Sequence, residues 1–287
     1  MKAFAYAAPR SLAEAVGIMA AEPTARPLAG GTDLIVQMRS GRKSAELVVD
    51  VKKITELSDL TFTEAEGLTI GAAVPCYRIA AHPVVCKLYR SLAELAGLIG
   101  GTQIQGRASL GGNLCNAAPS ADSVPLLIAL EAVAVIAGPA GLRELAVEHF
   151  CTAPGQNQMT AGELLVALRL PPPPAGSGST YLRFIPRNEM DIAVAGVGVQ
   201  VTVRDGKYTA ARIALASVAP TPLYVPDAGE ALKGEVAGPE AIARAAEIAR
   251  AAAQPISDMR GTADYRRHLC GVLTRRALET ATARAQE

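Results

Sequence analysis

The sequence Leu28-Ala29-Gly30-Gly31-Thr32-Asp33-Leu34 and a second stretch, Ser109-Leu110-Gly111-Gly112-Asn113, are the features from which the fold and function of this chain are inferred. In each stretch two adjacent glycines stand beside small polar side chains where an apolar segment ends. Glycine has no Cβ, so the backbone can come close to a ligand and turn its N–H groups towards it. Successive N–H groups of this kind form a concave site for an anion. Two such sites can hold the two ends of one diphosphate, so a dinucleotide is the predicted ligand.

Each glycine pair taken alone also fits an ordinary tight turn, so both interpretations stay open for a single stretch. The neighbouring side chains favour a ligand. Thr32 and Asp33 follow the first pair, and Asn113 and Asn116 follow the second. Their hydroxyl, carboxyl and amide groups can bond the sugar or ring edges of a nucleotide.

Asp122 has two interpretations that both remain possible. It precedes an apolar segment, Val124–Leu130, that is expected to be helical, and a carboxylate at a helix N-cap is favoured by the helix dipole. Alternatively it accepts a hydrogen bond from a ribose hydroxyl.

Composition limits the possible functions. The 287 residues, half of them hydrophobic, are enough for two domains or one large one. Lysine and arginine number 28 against 27 acidic residues, so there is no basic excess of the kind that nucleic-acid binding requires. No apolar run reaches the roughly 20 residues of a membrane span, and the N-terminus lacks the apolar core of a signal peptide. A cytoplasmic location is therefore expected.

Polar residues elsewhere in the chain predict no further chemistry. The five cysteines form no C-x-x-C pair and the three histidines are scattered, so neither a disulfide framework nor a metal site is expected. The basic residues near the C-terminus (Arg266, Arg267, Arg275 and Arg276) are interpreted as a solvated helix face.

The order of predicted elements indicates an α+β fold in two parts. A Pro/Gly/Ser-rich stretch, residues 173–179, is expected to link a first domain (1–172, with subdomains of about 1–55 and 56–172) to a second (180–287). In the second domain, strands near 181–187, 192–203 and 211–218 precede helices over 239–253 and 263–285, an order typical of α+β proteins.

A family resemblance becomes specific when these segments are combined. LAGGTDLIVQMR, VVDVKKITELSDL, LTIGAAV and GRASLGGNLCNAAPSADSVPLLIAL resemble, in this order, the FAD-binding medium subunit of the molybdenum hydroxylases. That family includes the flavin subunit of carbon monoxide dehydrogenase and the flavin domain of xanthine dehydrogenase. The similarity continues through GELLVALRLP, RFIPRNEMDIAVAG and DMRGTADYRRHLCGVLTRRALE, and so covers nearly the whole chain. It implies a two-part, PCMH/VAO-like FAD-binding domain followed by a smaller α+β domain with an antiparallel sheet and C-terminal helices.

The resemblance also implies the residues that contact FAD. The two glycine stretches would hold the pyrophosphate, Asp122 would bind through the ribose, and Leu165 matches a contact of the flavin or adenine. Arg183 stands where many relatives carry a lysine that binds the cofactor. The full implied set is Pro27, Leu28, Ala29, Gly30, Gly31, Thr32, Asp33, Leu34, Ser109, Leu110, Gly111, Gly112, Asn113, Asp122, Leu165 and Arg183. No catalytic residue and no metal ligand is expected on this chain.

Cofactors and partners follow from the same resemblance. FAD belongs to this chain, whereas the molybdenum cofactor belongs to a large subunit and two [2Fe–2S] clusters to a small subunit, in a dimer of heterotrimers. Electrons would pass from the clusters to FAD and then to an external acceptor. The 4-hydroxybenzoyl-CoA reductase branch inserts a cysteine-bearing segment for a further cluster, but here residues 68–109 carry only Cys76 and Cys86, so no cluster is expected on this chain.

Two other functions remain possible on the sequence. One is a self-contained FAD-dependent reductase, and the other is a nucleotide-binding scaffold subunit without redox activity. Leu269, Val272 and Leu273 are candidates for a partner interface, although packing inside the domain explains them equally well.

Overall fold

The computed structural model describes residues 2–287, which form fourteen strands and twelve α-helices. The strands are β1 (Ala5–Ala7), β2 (Arg26–Leu28), β3 (Leu47–Asp50), β4 (Leu60–Thr63), β5 (Gly67–Gly71), β6 (Val133–Gly138), β7 (Gly141–Ala146), β8 (Cys151–Ala153), β9 (Gln156–Asn157), β10 (Leu164–Leu170), β11 (Ser177–Phe184), β12 (Ala195–Arg204), β13 (Lys207–Ala216) and β14 (Leu223–Tyr224).

The helices are short in the first half of the chain and long at its end. They are α1 (Leu12–Ala21), α2 (Leu34–Arg39), α3 (Thr55–Ser58), α4 (Cys76–Ala81), α5 (Pro83–Leu88), α6 (Arg90–Ala96), α7 (Thr102–Gln105), α8 (Leu110–Asn116), α9 (Ser123–Ala129), α10 (Pro226–Glu230), α11 (Pro239–Ala252) and α12 (Ala263–Ala285).

These elements assemble into three main sheets. The first is a small parallel sheet of order β1-β3-β2, and the second is an antiparallel sheet of order β4-β5-β10-β6-β7. The third, from the C-terminal part, is antiparallel with the order β11-β12-β13-β14. A buried apolar cluster of residues from α1, β3, α3 and β10 fixes the first sheet against the second.

Strand β12 is buried along almost its whole length because helices pack on it from both parts of the chain. A Cβ added to Gly198 would lie 2.5 Å from the backbone nitrogen of Leu126 in α9, so only glycine permits this approach. On neighbouring β11, a Cβ at Gly178 would lie 2.0 Å from the carbonyl oxygen of Ala281 in α12. Glycines in strands thus bring the C-terminal sheet close both to α9 and to the last helix.

The structure confirms the mixed helix and sheet composition and corrects several details. Strand β11 begins at Ser177, earlier than expected, so the end of the predicted linker belongs to the sheet. Arg266 is not on a solvated face: it is 4% exposed. Leu269 and Leu273 lie in the core of the C-terminal part, so domain packing explains them. Within residues 2–287, no helix combines the length and apolar character needed to cross a membrane.

Candidate functional site

A single cavity of about 1000 Å³ brings together residues that are far apart in the sequence. Its walls come from both glycine stretches, from the segment preceding β10, and from the end of β11 and the loop that follows it. All sixteen residues implied by the resemblance line it except Leu110. Leu110 is fully buried in the hydrophobic core, where its side chain anchors α8.

The first glycine stretch connects β2 to α2, and its backbone has two features that suit an anion site. Gly31 has a φ of +76°, a conformation that favours glycine. Among the described residues, no backbone acceptor receives a hydrogen bond from the N–H groups of residues 30–33. Four consecutive N–H groups are therefore available to a ligand in the cavity.

The second stretch is the first turn of a helix rather than a second loop of free N–H groups. The Ser109 hydroxyl caps α8 by accepting from the N–H of Gly112 at 3.0 Å, and the N–H of Asn113 donates to the Ser109 carbonyl at 3.0 Å. A Cβ at Gly111 would lie 2.4 Å from the carbonyl oxygen of Ala72. The two stretches therefore differ: in the second, the glycines permit close packing and line the cavity at the start of α8.

Contacts between the two stretches hold them on one cavity. A Cβ at Gly30 would lie 1.9 Å from the carbonyl oxygen of Arg107, so the first stretch rests directly on the segment leading into α8. Across the cavity, the side-chain amide of Gln37 in α2 donates to Asn116 Oδ1 at 2.8 Å. Asn116 thus connects the walls. Asn113 Oδ1 likewise accepts from the Ser123 hydroxyl at 2.6 Å, so this oxygen is engaged inside the protein.

Asp122 occupies the N-cap position of α9 but makes no capping hydrogen bond. Its carboxylate instead accepts from the Tyr181 hydroxyl at 2.7 Å and forms an ion pair with Arg183. The guanidinium of Arg183 also donates to the carbonyl of Leu98 at 2.8 Å. Burial raises the pKa of Asp122, and the charge of Arg183 and the hydrogen bond from Tyr181 oppose that rise. These residues join β11 to the first part of the chain at one end of the cavity.

The sequence comparisons agree with this architecture. Residues 2–173 match the model of the FAD binding domain in molybdopterin dehydrogenase, and residues 180–281 match that of the CO dehydrogenase flavoprotein C-terminal domain. The chain belongs to the FAD-binding medium subunits of the molybdenum hydroxylases.

Individual relatives in this family match along their whole length. The carbon monoxide dehydrogenase medium chain of Afipia carboxidovorans is 35% identical over 99% of this chain and 98% of its own. The putative xanthine dehydrogenase FAD-binding subunit of Escherichia coli is 30% identical over 96% of this chain and 94% of its own.

Solved structures show the same fold. That of reconstituted CO dehydrogenase from Oligotropha carboxidovorans superimposes with a TM-score of 0.95 at 34% identity, covering 99% of both chains. Quinoline 2-oxidoreductase from Pseudomonas putida gives a TM-score of 0.93 at 29% identity, covering the whole of both chains.

Several residues that line the cavity of this medium subunit were not predicted from the sequence. They lie outside the two glycine stretches, and the only signal that the sequence offered for some of them is their charge. The missed residues include Met19, Ala25, Arg26, Gln37, Arg42, Lys43, Ile104, Cys115, Thr160, Glu163, Met190 and Ile192.

Glu163 is held by hydrogen bonds at the edge of the cavity. Arg143 donates to its two oxygens at 2.6 and 2.8 Å, and the N–H of Thr160 donates at 2.7 Å. The hydrogen bond from Arg143 is the main cause that lowers the pKa of Glu163 from 4.5 to about 2. A carboxylate whose pKa is lower in the folded state than in the unfolded state stabilises the fold at pH values above its unfolded-state pKa. That stabilisation is lost as the pH falls through the folded-state pKa.

We therefore expect Glu163→Gln to lower the free energy of unfolding by about 1 kcal/mol at neutral pH, a value limited by the solvent exposure of Arg143. The difference from wild type should shrink between pH 4.5 and 2, where the wild-type carboxylate becomes protonated. Urea unfolding of the flavin-free chain at several pH values measures this. Glu144→Gln, which removes an exposed partner of Arg169 on the same sheet, is the control and should show a smaller change. A Glu163→Gln difference that is constant down to pH 2 would contradict the assignment.

Proposed function

We propose that the cavity holds FAD with its diphosphate on the N–H groups of residues 30–33. The observation that carries this proposal is that the N–H groups of residues 30–33 donate to no backbone acceptor in the described part of the chain. These residues line a cavity of about 1000 Å³, and Gly30 packs there on the segment that leads into α8. That volume is at the upper end of the range for ligand pockets, as a dinucleotide requires. The aliphatic residues of the cavity, among them Leu165, Ile99 and Ile104, would contact the ring systems.

The bound flavin supplies the redox chemistry, and the residues of this chain bind and orient it. We propose that the chain receives electrons from the [2Fe–2S] clusters of a small subunit, whose own electrons come from a molybdenum cofactor on a large subunit, and delivers them to an external acceptor. The support is that the matched relatives are medium chains or FAD-binding subunits of dehydrogenases. Among residues 2–287 no group of three or more potential ligands is placed to hold a metal ion.

Three further points belong to the same proposal. The complex is a dimer of heterotrimers in the cytoplasm, by analogy with the family. The chain divides functionally into a FAD-binding domain (1–172), a boundary segment (173–179) and a C-terminal domain (180–287). The interval between the two family matches, which end and begin at residues 173 and 180, supports this division.

The proposal is tested by reconstitution. The purified chain should show the absorbance bands of bound FAD, and the flavin should be reduced by the substrate of the complex only after the large and small subunits are added. Turnover of a substrate by the isolated chain would instead indicate a self-contained reductase. Failure of the flavin to be reduced in the complete complex would indicate a scaffold subunit.

A further inference from the structure

Four cationic side chains line the cavity, and one of them is already paired with a carboxylate. Arg183 is paired with Asp122 and bonded to the Leu98 carbonyl. Arg26 donates to the carbonyl of Ala25 at 3.1 Å. Arg42 and Lys43 are adjacent in the loop between α2 and β3, where Arg42 Nε donates to the Ser40 hydroxyl at 3.2 Å.

The loop that carries these two cations is fixed to the wall of the cavity. The N–H groups of Arg42 and Lys43 both donate to the carbonyl of Gln37, at 2.9 and 3.2 Å. Gln37 itself reaches across to Asn116, as described above. The backbone of the loop is thereby tied to α2, the helix that begins directly after the glycine stretch.

The positive charges of Arg42 and Lys43 act on the first glycine stretch, and no carboxylate pairs with either side chain in the described part of the chain. In the described part of the chain, no carboxylate oxygen lies within 4.0 Å of either side chain's charged nitrogens. Both side chains lower the pKa of Asp33, opposing the larger effect of burial, which raises it. They therefore lie near the first glycine stretch, which lines the same cavity.

We propose that Arg42 and Lys43 bind the diphosphate of FAD together with the N–H groups of residues 30–33. This rests on the proposed function. A diphosphate carries two negative charges, and Asp33 adds a carboxylate beside it, so backbone dipoles alone leave the charge uncompensated. Arg183 cannot supply that compensation because Asp122 holds its guanidinium.

FAD binding to the flavin-free full-length chain tests the proposal. Dissociation constants are measured by quenching of FAD fluorescence for wild type, Arg42→Met, Lys43→Met and the double variant. Each single change should weaken binding about fivefold and the double change more than tenfold, typical of partly exposed charge-assisted contacts. The loss should diminish between roughly 20 and 500 mM KCl, because salt screens exposed charges.

Arg39→Met is the matched control, because Arg39 is an exposed cation in the last turn of α2 that does not line the cavity. It should bind FAD as wild type does. If the double variant and Arg39→Met have the same affinity, or if the loss is independent of salt, the inference is overturned while FAD binding itself stands. If wild type binds no FAD, the proposed function is overturned with it.

Discussion

Replacing Gly112 with valine is expected to weaken FAD binding by about a hundredfold while the chain remains folded. Gly112 is exposed and lines the cavity, and a Cβ built on it meets only the Ser109 hydroxyl, at 3.1 Å. The rest of a valine side chain would therefore occupy the open volume into which FAD is proposed to fit. Overpacking of this kind costs about 1–3 kcal/mol, and values of about 2–3 kcal/mol correspond to losses in affinity of roughly 30-fold to 150-fold.

The comparison variant is Gly17→Val. Gly17 lies in α1, is exposed, and has no heavy atom within 4 Å of its Cβ position, so the same substitution adds the same volume away from the cavity. Gly31 is less suitable, because its φ of +76° strains any side chain and its Cβ would point at Leu28 and Ile35. Affinity is read from fluorescence titration and folding from circular dichroism. Gly112→Val binding within threefold of the Gly17→Val value would remove the start of α8 from the FAD site.

Local sequence signals predicted the elements that depend on local chemistry. The helices expected over 239–253 and 263–285 are present as α11 and α12, because apolar periodicity is a local signal. The same logic failed at α8, where two glycines have poor helix propensity and resemble a loop. The helix forms there because Gly111 packs against Ala72 and Ser109 caps the first turn, and only the cap is visible in the sequence.

Residue pairs distant in sequence explain what sequence reasoning missed in the site. Asp122 looked like an N-cap because an apolar helix follows it, yet its partners Tyr181 and Arg183 come from a strand some sixty positions later. Both glycine stretches line one cavity, but they use their N–H groups differently, and the glycine pair that both motifs contain does not reveal this difference. Composition also cannot distinguish a buried arginine from an exposed one, as Arg266 shows.

Replacing Arg266 with methionine is expected to lower the free energy of unfolding of the C-terminal part by about 3 kcal/mol, the cost typical of removing one partner from a buried charged network. Its guanidinium donates to the carbonyl of Val194 at 2.8 Å, to that of Ser217 at 3.2 Å, and to Asp258 Oδ1 at 2.7 Å. Ser217 has a positive φ of 65°, so the segment that Arg266 holds is itself strained. Methionine fills much of the same volume but leaves the buried carbonyls without a donor.

The neighbouring variant Arg267→Met is the control, because it removes one positive charge without removing a buried hydrogen-bond network. Arg267 pairs with Asp264, which is almost fully exposed, and its removal should cost less than about 1 kcal/mol. Urea unfolding followed by circular dichroism gives both values, and equal losses would contradict the role assigned to Arg266.

Val194 comes two residues after Ile192, which lines the cavity. The Arg266 network therefore also positions a wall of the proposed FAD site, so Arg266→Met should weaken FAD binding at temperatures where the chain is still folded, whereas Arg267→Met should leave it unchanged.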